Sequence, residues 1–190
     1  MNLRNQSLIY RQGEPCSAVY CVLRGYVKLT RLNRGGGGGI VALLKAGDWF
    51  GALDGAAVSA ESAVAKGAVQ LRRLEPAALR ASADDSAAVI ASLARRQRLL
   101  EQRLEALLFM DVRARLAAVL LDLTEICGQH CRHGHEIDVR LTHQELAELS
   151  GVSRPVVTAT LNRWRSEKLV AYTREYICIE QRSVFAKLLD

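Results

Sequence analysis

Several kinds of segment are missing from this sequence. No stretch approaches the ~18 consecutive apolar residues of a membrane-spanning helix, and residues 1–14 lack the apolar run of a secretory signal. The five cysteines stand at irregular positions, which does not resemble a disulfide framework and fits a reducing compartment. We therefore expect a cytoplasmic protein with no membrane partner.

A catalytic constellation is also missing. No nucleophile–base–acid set or pair of carboxylates stands out, and the four histidines all lie between residues 130 and 143. The glycine run at 35–39 is followed by neither a Lys-Ser/Thr pair nor a helix start, which disfavours a phosphate-binding loop. Five glycines cannot form a strand interior, so we expect a mobile hairpin tip there. The sequence argues against an enzyme.

Hydrophobic residues make up 49% of the 190 residues, which is enough for one large domain or two small ones. The net charge of +6 permits a polyanionic partner without proving one. Between residues 8 and 74, short β-type runs are separated by glycines, which predicts a small all-β barrel or sandwich. The runs are residues 19–23, 27–32, 40–44 and 69–74, and the separating glycines are Gly13, Gly25, the run at 35–39, Gly47 and Gly51.

A helical region opens at Glu75, and a long helix is predicted over residues 86–109. Within it, six residues recur at alternating steps of three and four: Ile90, Leu93, Gln97, Leu100, Leu104 and Leu107. Such a heptad seam favours a parallel homodimer, with Gln97 fixing the register, although a helix buried within one chain is the alternative. The chain then bends near residues 110–111, and a second amphipathic helix is predicted over residues 112–126.

Residues 141–169 read as two helices joined by a tight turn. Thr142 and Glu145 have the spacing of a capping box, and Gly151 suits a left-handed turn. Ser153 can cap the second helix, whose first turn contains Pro155. These signals predict a helix-turn-helix.

The second helix of this pair has two faces. Val157, Leu161 and Trp164 would hold it to a core, while Arg154, Thr158, Asn162 and Arg163 project elsewhere and can bond bases or phosphates. Residues 170–179 alternate like a short hairpin and would form a wing. We interpret this half as a DNA-binding head; a helical hairpin packed into an ordinary core, or a head that binds protein instead, is the alternative.

Thiols and imidazoles are concentrated between the two predicted helical regions, at Cys127, His130, Cys131, His133 and His135. Zinc takes such ligands, but their spacing matches no standard zinc module. Cys127 and Cys131 would lie one turn apart if the preceding helix continued. We predict a polar connecting loop and no metal, with a metal- or redox-responsive switch as the alternative; Cys178, in the wing, is expected to serve packing.

These features together resemble the cyclic-AMP receptor protein and fumarate–nitrate regulator (CRP/FNR) family, over essentially the whole chain. The residues that carry the resemblance are Gly13, Gly25, Gly47-Asp48 and Gly51, the run Leu107-Leu-Phe-Met-Asp-Val-Arg-Ala-Arg-Leu, and then Leu141-Thr-His-Gln-Glu-Leu-Ala and Val152-Ser-Arg.

The resemblance implies an α+β fold. It comprises a cyclic-nucleotide-binding-like β-roll (jelly roll) at 1–85, a dimerisation helix at 86–110 and a winged helix-turn-helix at 111–190. It also implies a bacterial regulator that binds palindromic promoter sites on double-stranded DNA as a homodimer, and in many members activates through RNA polymerase.

Departures from the family pattern bear on the effector. The cyclic-nucleotide binders hold ribose and phosphate with a Gly-Glu and an Arg-Ser pair, which align here with Gly51-Ala52 and Glu61-Ser62. A Thr-Ser pair that reads the base aligns with Leu100-Glu101. A carboxylate beside a phosphate at roughly 4 Å is repelled by a few kcal/mol. We therefore expect that cyclic AMP is not the effector.

Other cofactors are no better supported. The first cysteines are Cys16 and Cys21, so the pre-roll cysteines that hold an iron–sulfur cluster in the oxygen-sensing branch look absent, and no cofactor is predicted. The C-terminal half is somewhat similar to the 2-oxoglutarate-responsive nitrogen regulator of cyanobacteria, which makes 2-oxoglutarate a candidate. A dimer that needs no effector is equally open.

The resemblance also assigns contacts to DNA. Arg154 aligns with an arginine that donates to guanine, while Pro155 and Ala159 replace two other base-reading residues. Thr158 and Asn162 are the candidates to complete the base contacts, although a core or solvated role for them stays open. The residues that align with phosphate contacts are Thr142, Gln144 and Ser153. Two such heads would enter successive major grooves about 34 Å apart.

Overall fold

The computed structural model describes residues 1–35, 37–53, 58–131, 134–173 and 176–189, and it places antiparallel strands through the first half of the chain. The strands are β1 (Asn2–Leu3), β2 (Leu8–Tyr10), β3 (Val19–Leu32), β4 (Gly38–Leu44), β5 (Trp49–Gly51) and β6 (Ser62–Leu74). Strand β3 is central: it pairs with β6, β4 and β5, while β1 and β2 pair with β6. This β-domain, here called the roll, is the predicted all-β unit.

Gly25 does not separate two strands, contrary to the prediction. It lies inside the continuous strand β3 with φ +81°, at a point where the register with β6 shifts. A Cβ at this position would stand 2.2 Å from the carbonyl oxygen of Ala68 on β6. The glycine therefore makes a β-bulge where two backbones approach closely, and the strand bends without ending.

The glycine run is only partly the predicted hairpin tip. Gly38 and Gly39 lie in β4 and pair with Leu32 and Arg31 of β3, so the statement that this run cannot enter a strand was wrong. Next to it, the Asn33 side chain accepts from the amides of residues 35 and 37, at 2.9 and 3.0 Å. Gly36 lies outside the described residues. The strand pairing with β3 outweighs the low intrinsic strand preference of glycine.

Aromatic side chains fill the interior of the roll. Tyr10, Tyr20 and Phe50 pack ring against ring, with centroids 5.3–6.1 Å apart, and Phe50 is fully buried. Helix α1 (Pro76–Ala81) follows β6, and helix α2 (Ala83–Phe109) follows α1. Leu79 and Val89 from these helices cover Trp49. Helix α2 starts three residues before the predicted Ser86, with Asp84 and Asp85 in its first turn, where acids favour a helix.

The chain divides into two units, residues 1–99 and 100–190. In the second unit, α2 ends at Phe109 and Asp111 caps the next helix by accepting from the amides of Arg113 and Ala114, both at 2.8 Å. This is the predicted bend. The elements that follow, here called the head, are α3 (Val112–Cys127), β7 (Gly128–Cys131), β8 (Gly134–Ile137), α4 (His143–Ser150), α5 (Arg154–Ser166), β9 (Val170–Tyr172), β10 (Ile177–Ile179), α6 (Arg182–Ala186) and a 3₁₀ turn at Lys187–Leu189.

A small antiparallel sheet in the order β7-β8-β10-β9 joins the two ends of the head. Residues 128–131 and 134–137 therefore pair as antiparallel strands, and the prediction of a polar connecting loop was wrong for these residues. Helix α3 also stops at Cys127, so Cys127 and Cys131 are not one helical turn apart. Gly128 extends the chain at this point, with φ −85° and ψ 147°. No helix in the described parts of the chain is long and apolar enough to cross a membrane.

Candidate nucleic-acid interface

The capping box of α4 is formed as predicted. The Thr142 hydroxyl accepts from the Glu145 amide at 3.1 Å, and the Glu145 carboxylate accepts from the Thr142 amide at 2.9 Å. Leu146 and Leu149 on the same helix are buried. Two otherwise unpaired amides are satisfied locally, so the start of α4 is fixed by sequence over four residues.

The turn between α4 and α5 also follows the sequence prediction, with one exception. Gly151 is left-handed, with φ 64° and ψ 32°, and the Val152 amide closes the turn onto the Ala147 carbonyl at 3.1 Å. Pro155 lies in the first turn of α5. Ser153 occupies the N-cap position of α5, but its side chain makes no capping hydrogen bond, so the predicted cap is absent.

One face of α5 is fixed to the core of the head. Val157 and Leu161 are fully buried, and Trp164 is 2% exposed. The Trp164 ring meets Phe185 of α6 edge to face, with centroids 4.8 Å apart. The opposite face of α5 therefore has a fixed orientation toward solvent.

Thr158 is half-buried, and its hydroxyl is already engaged. It donates to the carbonyl of Arg154 at 3.1 Å and lies 2.8 Å from Nδ1 of His143, which is on α4. Because the single hydroxyl proton goes to Arg154, the His143 Nδ1–H is the donor in the second contact. Thr158 can then only accept from a base, or place its methyl group against one.

Asn162 is held by the wing. Its Oδ1 accepts from the Tyr172 hydroxyl of β9 at 2.7 Å and from Arg165 at 3.2 Å. Since both partners donate, the amide orientation is settled by the hydrogen bonds. A bidentate contact to adenine needs Oδ1 and Nδ2 together. Asn162 therefore presents only its Nδ2 donor, which suits guanine or the O4 of thymine.

The basic residues of α5 differ in whether their side chains have interaction partners within the chain. Arg163 pairs with Glu167 at 2.8 Å, and Arg165 lies over the Tyr172 ring with its guanidinium carbon 5.1 Å from the centroid. Arg154, at the exposed start of the helix, has no hydrogen-bond or ion-pair partner for its side chain within the described ranges. Its five donors are therefore free for a base edge or phosphate.

The three residues predicted to touch phosphates are exposed at the helix starts. Gln144 donates to Glu148 at 3.1 Å, and the Thr142 hydroxyl serves the capping box. Ser153, without a capping bond, is exposed at the first residue before α5. These assignments stay predictions, and Ser153 has the least committed side chain of the three.

The thiols and imidazoles of residues 127–135 are spread over three places. Cys127 is buried and donates to the Leu123 carbonyl at 3.1 Å. His130 and His135 pair across the β7–β8 hairpin, with ring centroids 4.3 Å apart. Cys131 contacts Cys178 on β10 instead, and His133 lies outside the described residues. Among the residues that the structure describes, no three His, Cys, Asp or Glu side chains are placed to share a metal ion.

The predicted seam on α2 lies on the surface of the chain. Its apolar members are Ile90, Leu93, Leu100, Leu104 and Leu107, with exposed fractions from 40% to 68%. Gln97 is exposed as well. The structure does not bury these residues within one chain, which was the alternative considered from the sequence, and pairing with a second copy stays a prediction.

In the roll, the position aligned with the phosphate-binding arginine is already paired. Glu61 is buried and accepts from Arg96 of α2, with oxygen–nitrogen distances of 3.1 and 3.3 Å, while Arg31 lies 3.8 Å away. Burial first, and then the nearby Glu61 charge, raise the pKa of Tyr10. A second ion pair joins the adjacent arginine of α2, Arg95, to Asp48 at 2.7 Å.

Sequence reasoning missed several of these residues. His143 and Tyr172 position Thr158 and Asn162, and Arg96 partners Glu61; each contact joins separate elements. Tyr172 was visible only as one aromatic residue in an alternating strand. No pattern in the sequence pairs Arg96 with Glu61, which is 35 positions away.

Comparisons with known proteins agree with this arrangement. The family model for the cyclic nucleotide-binding domain matches residues 1–86, and the model for the Crp-like helix-turn-helix domain matches residues 114–188. A global nitrogen regulator from Nostoc sp. is 31% identical over 187 residues, covering 94% of this chain and 83% of that protein. A CRP-like cAMP-activated global transcriptional regulator from Mycobacterium tuberculosis is 29% identical, covering 80% of this chain and 71% of that protein.

A solved structure supports the same fold. A CRP-family transcriptional regulator from Thermus thermophilus matches with a TM-score of 0.87 and 24% identity, covering 100% of this chain and 96% of that one. The predicted order of β-roll, long helix and helix-turn-helix is thus confirmed. Since the two family models account for both units and the Nostoc relative extends along nearly the whole chain, this protein belongs to the CRP/FNR family of transcription regulators, which bind DNA and are not enzymes.

Proposed function

We propose that this protein is a cytoplasmic, sequence-specific regulator that binds palindromic promoter sites as a homodimer. The observation that carries the proposal is Arg154, an exposed arginine at the start of a helix whose other face is fixed to the core. Arginine in this position donates bidentately to O6 and N7 of guanine. The half-site would thus contain one guanine read by Arg154.

Selection of binding sites from random duplex DNA, with no added effector, tests this proposal first. A two-fold symmetric consensus with half-sites about one helical turn apart is expected. Affinity should also fall steeply as salt rises, because phosphate contacts release counterions. No enrichment under these conditions, with or without a candidate effector, would contradict sequence-specific binding.

The Arg154→Ala variant tests the docking. It should weaken binding to the selected site by about 1–3 kcal/mol and relax preference at one base position. Arg80→Ala, which removes the same charge from the exposed end of α1, is the matched control and should leave affinity unchanged. Equal effects of the two substitutions would mean that Arg154 contributes only general charge.

The exposed seam on α2 supports a homodimer. A second copy of the same helix would cover Leu100, Leu104 and Leu107 by coiled-coil packing. Leu104→Lys should shift the protein from dimer to monomer in sedimentation. Gln102→Lys adds the same charge at an exposed position outside the seam and should not. A dimer that survives Leu104→Lys would place the interface elsewhere.

Binding without cyclic AMP is part of the proposal. The Glu61 carboxylate and its Arg96 partner support it, because a cyclic phosphate would have to displace an existing ion pair and meet a like charge, at a cost of about 4 kcal/mol at 4 Å and intermediate dielectric. Titration calorimetry with cyclic AMP should give no heat of binding. Measurable micromolar binding would overturn this part; 2-oxoglutarate, the other candidate effector, is tested in a parallel titration.

Activation through RNA polymerase is the last part of the proposal. It rests on family membership, since many members act in this way. Transcription in vitro from a promoter that carries the selected site should increase when the protein is added. A decrease would instead indicate a repressor, and no change with intact DNA binding would remove the polymerase from the proposal.

The alternative is a head that binds protein without DNA. Its binding would show little dependence on DNA sequence and a weak salt dependence, because phosphate contacts would contribute nothing. The absence of any selected consensus, together with unchanged behaviour of Arg154→Ala, would favour it.

A further inference from the structure

Two thiols that are far apart in the sequence meet in the small sheet of the head. Cys131 ends β7 and Cys178 is in the middle of β10, yet their sulfur atoms are 3.2 Å apart. Strand β8 lies between these strands, with Gly134 opposite Cys131 and Glu136 opposite Cys178. The two cysteines contact each other across β8.

A glycine on β8 makes this contact feasible. A Cβ at Gly134 would lie 2.1 Å from the carbonyl oxygen of Ile179 on β10. With no side chain at that position, the backbone of β10 can approach β8 closely beside Cys131. The His130–His135 pair lies one residue away and therefore on the other face of the sheet, so it does not separate the thiols.

The two thiols are not equivalent. Cys178 is 2% exposed, while Cys131 is half-buried. Burial first, and then the Cys131 thiol, raise the pKa of Cys178 to about 12, so Cys178 keeps its proton at neutral pH. A dissolved oxidant therefore reaches Cys131 first, and Cys178 is positioned to resolve the product.

We propose that Cys131 and Cys178 form a reversible, peroxide-sensitive disulfide that weakens DNA binding by the head. The regulatory clause depends on the proposed function; the disulfide itself does not. It assigns a modification site to the only pair of sulfurs in contact among the described residues.

The chemistry needs one hydroperoxide. The Cys131 thiolate attacks one peroxide oxygen, the O–O bond breaks, and the alcohol or water leaves after taking up a proton. The Cys178 sulfur then attacks the resulting sulfenic sulfur, loses its proton and expels hydroxide, which leaves as water. Two thiols and one hydroperoxide thus give one disulfide, one alcohol or water molecule and one water; two electrons pass from sulfur to the peroxide.

The bond would act on the wing. Closing the sulfur–sulfur separation from 3.2 Å to about 2.05 Å draws the end of β7 and strand β10 together. Strand β10 pairs with β9, and Ile177 lies directly opposite Tyr172. Tyr172 holds Asn162 on α5. A shift of β10 therefore changes the position of a wing residue that orients the candidate base-reading face.

The test uses the full chain and hydrogen peroxide. Alkylation and peptide mass spectrometry should find the 131–178 crosslink after peroxide and lose it after dithiothreitol. Affinity for the selected DNA site should fall at least about fivefold on oxidation and recover on reduction. Cys131→Ser should form no crosslink and keep its affinity in peroxide, whereas Cys16→Ser, altered in the roll, should behave like the wild type.

Each outcome decides a separate point. Peroxide treatment without a 131–178 crosslink overturns the disulfide, and a crosslink with unchanged affinity overturns the regulation. Reduced protein that selects no DNA site while the crosslink still forms would count against the proposed function alone. Cys178→Ala should likewise form no crosslink; if it does not fold because that position is buried, Cys131→Ser still supplies the comparison.

Discussion

The roll and the head differ in whether the charged and polar side chains discussed above find their partners within the chain. In the roll, Glu61 and Asp48 are buried and each is paired with an arginine of α2. In the head, Arg154 is exposed, and Asn162 is held by Tyr172 with one donor facing outward. The first arrangement satisfies its charges within the chain, whereas the second fixes polar groups in place and leaves donors for a partner. A binding site is thus recognised by what is left unsatisfied on a rigid frame.

The largest effect should come from disrupting the core packing that holds α5 in the head. Trp164→Ala in the head should cost about 3–5 kcal/mol of unfolding free energy, because the ring is buried against Phe185. The chain has two tryptophans, and Trp49 is in the roll, so its fluorescence reports on the roll alone. Urea unfolding followed by circular dichroism should show an early transition while the Trp49 midpoint stays in place.

Trp164→Phe is the matched control and should lose less unfolding free energy, because an aromatic ring still meets Phe185. If the Trp49 midpoint falls together with the circular dichroism transition, the two units unfold as one. The contrast between them would then be one of surface chemistry only.

The second-largest effect should come from removing the buried ion pair of the roll. Glu61→Gln leaves Arg96 without its charge partner and should cost about 2–3 kcal/mol, below the ~3–5 kcal/mol of fully buried pairs because Arg96 is partly exposed. Glu14→Gln, in the exposed pair with Arg11, should cost less than about 1 kcal/mol. Unfolding followed by fluorescence in a Trp164→Phe background, where Trp49 is the remaining tryptophan, measures both.

Replacing both partners sharpens the result. Glu61→Gln with Arg96→Met should recover part of the lost free energy of unfolding, since the largely buried Arg96 charge is gone and Arg31, the other arginine near Glu61, is exposed to solvent. If Glu61→Gln lowers the free energy of unfolding no more than Glu14→Gln does, the stability of the roll does not depend on its internal ion pair.

A smaller effect is expected where the head positions a donor. Tyr172→Phe removes the hydrogen bond to Asn162 and should cost about 0.5–1.5 kcal/mol of stability. It also frees one acceptor position of Asn162 Oδ1, while Arg165 still donates to the other, so adenine should gain at one position of the selected half-site. Tyr176→Phe, also on the wing and exposed, is the control. An unchanged consensus in Tyr172→Phe would mean that Asn162 does not read a base.

The smallest expected effect is a loss of stability of the head at acid pH. Burial first, and then the charge of Arg154, lower the pKa of His143 in the folded head. Since the pKa in the unfolded chain is about 6.5, protonation favours the unfolded chain, and this stabilisation is present above that pH and lost as the pH falls. The urea midpoint of the head should therefore decrease between about pH 7.5 and pH 5.5.

His143→Gln should make that decrease shallower. It should not abolish it, because burial and then His130 lower the pKa of His135 as well. An identical pH dependence in the variant would assign the whole effect to other groups.

The sequence predicted local features of both units well. The Thr142–Glu145 box, the Gly151 turn and the Asp111 break each depend on residues within a few positions, and local hydrogen bonds decide them. The exposed seam of α2 was equally visible, since helical spacing alone places its members on one face. Ser153 shows the limit: the residue type and position were right, but its side chain makes no capping bond.

What the sequence could not predict depends on contacts between distant segments. The Gly25 bulge follows from its opposition to Ala68, and strands β7 and β8 belong to a sheet that β10 completes. Cys131 meets Cys178 from 47 positions away. Such contacts are set by strand order and register, which local propensity does not encode.

The bulge at Gly25 has a genetic consequence. Every missense change of a glycine codon adds at least a Cβ, and at this position that atom would stand 2.2 Å from a backbone oxygen. No rotation of a flexible side chain relieves such an overlap. In a library of all single substitutions selected for folded protein, position 25 should be among the most depleted, although it belongs to neither the candidate DNA-contact residues nor the seam.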